Sequence, residues 1–385
     1  MLSFSDESAM SKLTSPRSPD PIDLTRRTLS LSDDDFQTQM LEDVSRTFAL
    51  TIPQLPPTLC RVVSNAYLLC RIVDTIEDEP TLPGVQKNYF CQRFLESFNC
   101  DKNAEAFSRQ LCALLSSETP PAEHVLIQNV PRVIRISQSF AEPQREALQR
   151  CIHTMAKGMG QFQLRAEKHG LHSLEDLDQY CYYVAGVVGE MLTTLFCLYS
   201  PEIAKNYDAL MRLAVSFGQG LQMTNILKDV WEDYQHGACW LPREMFAEEG
   251  FDLSELTTGR NRGAFEIGVQ RLIGIAHGHL RNALGYTLLM PKAEVGIRAF
   301  CLWAIGLAVL TLRKINQHLS YTNGSQVKIS RLSVKTTILC ARLTLQNDRL
   351  LKLLFYLAAW RLPSACTPTS GSPVRTCENK AEMMP

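Results

Sequence analysis

Two stretches of this sequence carry one acidic pattern, Asp-x-x-Glu-Asp: Asp74-Thr75-Ile76-Glu77-Asp78 and Asp229-Val230-Trp231-Glu232-Asp233. On a helix, positions three and four apart share a face, so Asp74, Glu77 and Asp78 project together, as do Asp229, Glu232 and Asp233. Like charges at that spacing repel. Each cluster also precedes a helix breaker, Pro80 in one case and His236-Gly237 in the other. The acids therefore fall at helix C-termini, where the macrodipole is negative and favours cations by about 1 kcal/mol or less. One such end reads as a solvated surface. Two matched ends, in helices otherwise strongly apolar, break local rules twice, and such breaches mark functional sites. A divalent cation bridging to a diphosphate would relieve both, because Mg2+ keeps several waters and needs only one or two carboxylates beside phosphate oxygens. Gln222 and Asn225 lie seven and four positions before Asp229, on one stripe with it, and an amide can ligate a metal or bond a diphosphate oxygen.

Acids held over a common ligand require long helices, and the apolar residues supply their pattern. They recur at three and four positions, as in Leu59, Val62, Val63, Ala66, Tyr67, Cys70 and Val73, which is a helix face. The same period covers 145–168, 176–199, 207–234, 265–289, 294–317 and 331–358, and no alternating run bounded by turn residues suggests a strand. The expected fold class is all-α. Pro80, Pro83-Gly84, Pro201 and Gly237 break the helices without a long spacer, so a single domain is expected over 36–362. Residues 1–35 and 363–385 are rich in Ser, Pro and other breakers with no sustained apolar period, and are expected to be a disordered leader and tail.

The bulk composition excludes several classes of partner. With 39 Lys+Arg against 40 Asp+Glu and no long basic run, the chain has no nucleic-acid footprint. The 13 cysteines lack paired metal-ligand spacing and no secretory leader precedes them, so a reducing, cytoplasmic setting is expected. Cys70, Cys181, Cys197 and Cys301 sit in apolar helical runs and read as small buried hydrophobes. No stretch reaches the roughly 20 consecutive apolar residues of a spanning helix. Residues 349–362, with Leu350, Leu353, Leu357 and Trp360 between Arg349 and Arg361, suit either a terminal core helix or peripheral membrane contact.

Four ordered motifs then resemble the squalene/phytoene synthase family: Ser45-Arg46-Thr47-Phe48, Tyr67 to Asp74 (YLLCRIVD), Tyr180 to Gly189 (YCYYVAGVVG) and Gln222 to Asp229 (QMTNILKD). The resemblance is greatest to its squalene-forming members. It implies an isoprenoid-synthase helical bundle with a central apolar cavity, acting as a monomer on farnesyl diphosphate. Two such molecules would condense head to head to presqualene diphosphate, which NADPH would reduce to squalene. By this carry-over Asp74, Asp78, Asn225, Asp229 and Asp233 hold Mg2+, and Arg46 and Arg71 bind diphosphate. Tyr67, Phe48, Gln222 and Phe300 contact substrate, and Tyr180 serves the first half-reaction. Lys328 and Arg331, in Val327-Lys328-Ile329-Ser330-Arg331, match the segment that meets the NADPH phosphates. Phe300 and Trp303 are candidates to shield a carbocation from the cavity wall. Lys228 departs from the arginine common at that position, keeping the charge without the planar fork. The alternatives are a dehydrosqualene or phytoene synthase, an enzyme that stops at presqualene diphosphate, and a non-catalytic relative, which would not be expected to keep both acid clusters whole.

Overall fold

The computed structural model describes residues 28, 30–45, 47–98, 100–163 and 169–364. Among them there is no strand, only an isolated bridge between Leu171 and Pro242, and the all-α expectation holds. In chain order the main helices are α1 (Asp33–Val44), α2 (Pro57–Asp78), α3 (Gly84–Ser97), α4 (Asp101–Cys112), α5 (Pro121–Gln128), α6 (Val130–Gln138) and α7 (Glu142–Gln163). There follow α8 (Leu174–Cys181), α9 (Val187–Tyr199), α10 (Tyr207–Gln235), α11 (Arg262–Leu289), α12 (Val295–Gln317), α13 (Arg331–Thr344) and α14 (Asp348–Ala358). Helix α10 lies at the centre, packed against α9, α11 and α12, while α2 packs on α7 across the bundle. The apolar face read from α2 is buried here, Leu59, Val62, Val63, Ala66 and Val73 all lying in the core.

Several boundaries differ from expectation, each for a local reason. Helix α1 starts at Asp33, inside the stretch expected to be a leader. Ser32 caps it by accepting from the Asp35 N–H at 3.2 Å, Asp33 to Asp35 suit the positive helix start, and Asp33 pairs with Arg132 at 2.8 Å. The apolar period over 331–358 hides a break, because Asn347 accepts from the N–H groups of Arg349 and Leu350 and so opens a new helix. The 176–199 period contains a π-helical turn, Tyr182–Gly186, between α8 and α9. Of the expected helix 145–168, the last five residues lie outside the described ones, as do 1–27 and 365–385 of the expected leader and tail. The described cysteines are all free thiols. Two segments, Leu174–Tyr199 and Val295–Gln317, are long and apolar enough by composition to cross a membrane, more than the strict run of apolar residues suggested. The second is largely buried within the protein and forms one wall of the cavity described next.

Candidate active site

A cavity of about 1070 Å³ opens between the ends of α2 and α10 and runs into the bundle. Its mouth carries Asp74 and Asp78 from α2 and Asp229 and Asp233 from α10, and its interior is walled by apolar side chains of α9, α10 and α12. Of the residues singled out from sequence, Phe48, Tyr67, Arg71, Tyr180, Gln222, Asn225 and Phe300 line this same cavity with the four aspartates. Arg46 lies outside the described residues. Lys328 and Arg331 are exposed and stand outside the cavity lining. They follow a 3-10 turn, Gly324–Val327, which is tied to the mouth by the Gly324 N–H donating to Glu232 Oε1 at 2.9 Å. Trp303 is a correction. It points away from the cavity into a small cluster with Leu302, Ala341 and Leu345, beneath the Arg342 guanidinium at 5.3 Å. Phe300, three residues earlier and so only about 60° away around α12, lines the cavity, and packing rather than helical spacing separates the two side chains.

Both acid clusters occupy the last two turns of their helices. Helix α2 stops at Asp78 and α10 at Gln235, after which Gly237 turns the chain with φ of 92°. The turn after α2 is pinned by Glu79, which is 1 % exposed and accepts from Thr119 Oγ1, from the Ser116 N–H at 2.9 Å and from Thr81. Burial alone would raise the pKa of Glu79, and these donors overcome it and hold the carboxyl at about 2.

The four aspartates behave in the opposite way. Burial pushes Asp74 to about 7 against the pull of Arg71, with Asp78 and Glu123 adding to the rise. Burial also takes Asp233 to about 7, and there the charges of Asp229 and, from the opposite helix, Asp78 contribute. The two clusters are thus close enough to repel each other. Asp78 and Asp229 are raised as well, chiefly by the protein packed around them, although their side chains still reach solvent at the mouth, Asp78 being 64% exposed. Among the described residues, Arg71 and Lys228 are the cations that pair with these aspartates. The Arg71 guanidinium bonds Glu123 and stands 3.8 Å from Asp74 and 3.9 Å from Asp78, while Lys228 sits 3.0 Å from Asp229. Among the described residues no three His, Cys, Asp or Glu side chains form a metal cage by themselves. Carboxylates on two facing helix ends, partly withdrawn from solvent, nonetheless fit Mg2+ shared with phosphate oxygens and water.

Among the lining residues missed from sequence, three shape the site most directly. Glu123, at the start of α5 and 4 % exposed, bonds Arg71 and accepts from Thr75 Oγ1 at 2.9 Å. Lys87 of α3 donates to the Glu77 carbonyl. Trp240 stacks on Tyr180, with ring centroids 4.1 Å apart and planes 6° from parallel. Nothing in the local spacing of these residues betrays them, since each depends on a partner distant in the chain. Burial raises the pKa of Tyr180, and the charges of Glu77, Asp78 and Asp233 raise it further, so its phenol keeps its proton. Beside it the bundle is drawn tight. A Cβ on Gly218 would stand 2.2 Å from the Ala185 carbonyl oxygen in the π turn, and one on Gly189 2.2 Å from that of Ala214.

Residues 41–333 match the sequence profile of the squalene/phytoene synthase family. The squalene synthase of Eremothecium gossypii is 29% identical over 281 residues, covering 71% of this chain and 60% of that protein. The Botryococcus squalene synthase of Botryococcus braunii is 30% identical over 279 residues, covering 71% and 56%. The match thus spans about six-tenths of the length of these relatives. Among solved structures, the complex of TcSQS with the ligand BPH1237 superimposes with a TM-score of 0.67 at 23% identity, covering 85% of this chain and 91% of that one. A dehydrosqualene synthase in complex with a ligand gives 0.56 at 20% identity, covering 83% and 96%. These likenesses show that the bundle is the isoprenoid-synthase fold, and the profile match over most of the sequence shows that the chain belongs to the squalene/phytoene synthase family.

Proposed function

We propose that the chain is a Mg2+-dependent prenyltransferase that joins two farnesyl diphosphates head to head to presqualene diphosphate and reduces that product with NADPH to squalene. One observation carries the reading: acids crowd one end of a cavity whose body is apolar and whose volume, about 1070 Å³, lies at the top of the usual range for small-ligand sites. That is room for two prenyl chains below and their diphosphates above.

In this reading Asp74, Asp78, Asn225, Asp229 and Asp233 hold Mg2+, which when bound supplies the positive charge that makes diphosphate a better leaving group. Arg71 presents its fork to diphosphate oxygens while Glu123 fixes its other side. Lys228 adds a point charge next to Asp229. Below the mouth, Phe48 and Tyr67, 5.1 Å apart, and Phe300 exclude water and offer ring faces to an allylic cation. Protonated Tyr180, braced by Trp240, orients as a donor, so the proton lost on ring closure passes to the released diphosphate. Lys328 and Arg331, exposed beyond the turn that meets Glu232, would hold the NADPH phosphates. The described body would serve as one catalytic unit, working as a monomer in the cytoplasm or at a membrane surface.

Purified protein given farnesyl diphosphate and Mg2+ should yield presqualene diphosphate without NADPH and squalene with it. Asp74→Asn and Asp229→Asn should each abolish turnover. An unreduced hydrocarbon in both reactions would select dehydrosqualene synthesis, and full activity in either variant would refute the acid-mouth chemistry.

A further inference from the structure

Between α12 and α13 the chain runs along the acidic end of α10 and is fastened to it. Tyr321, 2 % exposed, donates its hydroxyl to the Leu227 carbonyl, and its ring meets that of Trp231 edge to face at 6.3 Å. Three residues on, the Gly324 N–H donates to Glu232 Oε1 at 2.9 Å. A Cβ on Gly324 would stand 2.9 Å from the Lys228 carbonyl oxygen and 3.1 Å from Glu232 Oε1, so a residue without a side chain is what lets the two backbones meet. Leu227, Lys228 and Glu232 flank Asp229 in sequence, and the fastening therefore falls on the second acid cluster. A connection between two helices needs no such anchor, because water satisfies a surface N–H. Here the N–H instead bonds a carboxylate whose other oxygen, Oε2, is buried without a hydrogen bond. Such a charge-assisted bond is roughly twice as strong as a neutral one.

What the fastening holds comes directly after it. The 3-10 turn Gly324–Val327 seats Val327 in the core, and Lys328 follows, at most about 14 Å of chain from Gly324. Ser330 then caps α13 by accepting from the Ser333 N–H at 3.1 Å, with Arg331 as the first residue of the helix. Lys328 and Arg331 are both exposed. A basic pair at the positive end of a helix opposes the macrodipole, a breach that an anion would relieve. We propose that Gly324, through its bond to Glu232, is a positioning residue for the reductive half of the reaction, holding Lys328 and Arg331 beside the cavity mouth so that the dinucleotide whose phosphates they bind reaches the intermediate. This positioning role rests on the proposed function. In that half, presqualene diphosphate releases diphosphate with the bonding electron pair, a hydride from NADPH fills the vacant carbon orbital, and squalene, diphosphate and NADP+ result. Condensation needs neither Lys328 nor Arg331, so slackening the tether should separate the two halves.

The test is Gly324→Ala in the full chain, read first by fluorescence titration of NADPH with no prenyl substrate present. A slack tether leaves the segment to be ordered on binding, so the dissociation constant should rise about tenfold over the wild type. Presqualene diphosphate formation without NADPH should stay within about twofold of the wild type. With NADPH near the wild-type dissociation constant, product should shift from squalene to presqualene diphosphate, and saturating NADPH should restore squalene. That recovery distinguishes positioning from a structural role, which would lower both halves and the melting temperature together. Ser325→Ala, exposed in the same turn, should match the wild type. A folded Gly324→Ala protein that binds NADPH as the wild type does, or that loses both halves equally, would overturn the proposal. If Gly324→Ala fails to fold, Tyr321→Phe decides: it removes only the hydroxyl bond to Leu227 and should give the same pattern more weakly, and unaltered NADPH binding in it would overturn the proposal equally. Wild-type protein that condenses farnesyl diphosphate but binds no NADPH would refute the reductive reading, and the tether's role with it, before any variant is made.

Discussion

On the proposed function, Glu123 sets how much Mg2+ the site requires, and Glu123→Gln measures it. In the folded protein this buried carboxylate holds Arg71 away from the first acid cluster, leaving the guanidinium 3.8 Å from Asp74 and 3.9 Å from Asp78. With the charge removed and an amide left to bond Thr75, Arg71 loses a charge-assisted bond worth about 1.5–3 kcal/mol. Its nearest compensation is to close on Asp74. Shortening that contact to about 2.8 Å at an effective dielectric near 20 gains about 1.6 kcal/mol. The share from Asp78, whose side chain is 64% exposed, is screened by solvent. An arginine seated on Asp74 competes with the cation there, so the Mg2+ concentration for half-maximal diphosphate release should rise about tenfold. Glu123→Asp, which keeps the charge, should stay near the wild-type value. Mg2+ titrations of diphosphate release, with melting curves to confirm folding, read both variants. A folded Glu123→Gln protein with an unaltered Mg2+ requirement would refute the idea that Glu123 holds Arg71 off the acids.

Two further outcomes follow from burial and close contact. Asp178 on α8 has its pKa raised to about 6 by burial, with the charge of Glu175 adding to it, and its Oδ1 is buried without a hydrogen bond. Because the folded pKa exceeds the ordinary aspartate value of 3.8, the folded state binds the proton more tightly, and ionisation costs stability as pH rises from about 4 to 6. Asp178→Asn should therefore raise the melting temperature at pH 8, by an amount equivalent to at most about 3 kcal/mol, and the gain should vanish below pH 4. An equal gain at both pH values would show that charge is not the cause. Gly218→Ala should destabilise by about 1–3 kcal/mol, because its Cβ would meet the Ala185 carbonyl at 2.2 Å. Helix propensity alone favours the substitution by about 1 kcal/mol, so a higher melting temperature would mean that α10 and the π turn can part freely.

What could be read from the sequence, and what could not, divides along the range of the forces involved. The acid clusters were legible because the rules they break, like-charge spacing and the helix dipole, act within one or two turns. The cavity-facing stripe of Gln222, Asn225, Asp229 and Asp233 followed from helical spacing alone. Glu123 and Trp240 were not legible, because each is defined by a partner elsewhere, Arg71 in one case and Tyr180 in the other. The capping Asn347 was a local sign of the break before α14, but the apolar period running on from Leu345 to Leu351 masked it. Trp303 and Phe300 show the deeper limit. Periodicity marks a side of a helix as apolar, yet α12 is apolar on two sides, and only packing decides that Phe300 faces the cavity while Trp303 faces α13. Leu343 and Leu353 extend the same ambiguity to the surface, since their spacing is that of core residues and yet both are exposed among the described residues. An apolar stripe in sequence thus specifies a demand for cover, and only the packing of distant segments decides which side of a helix receives it.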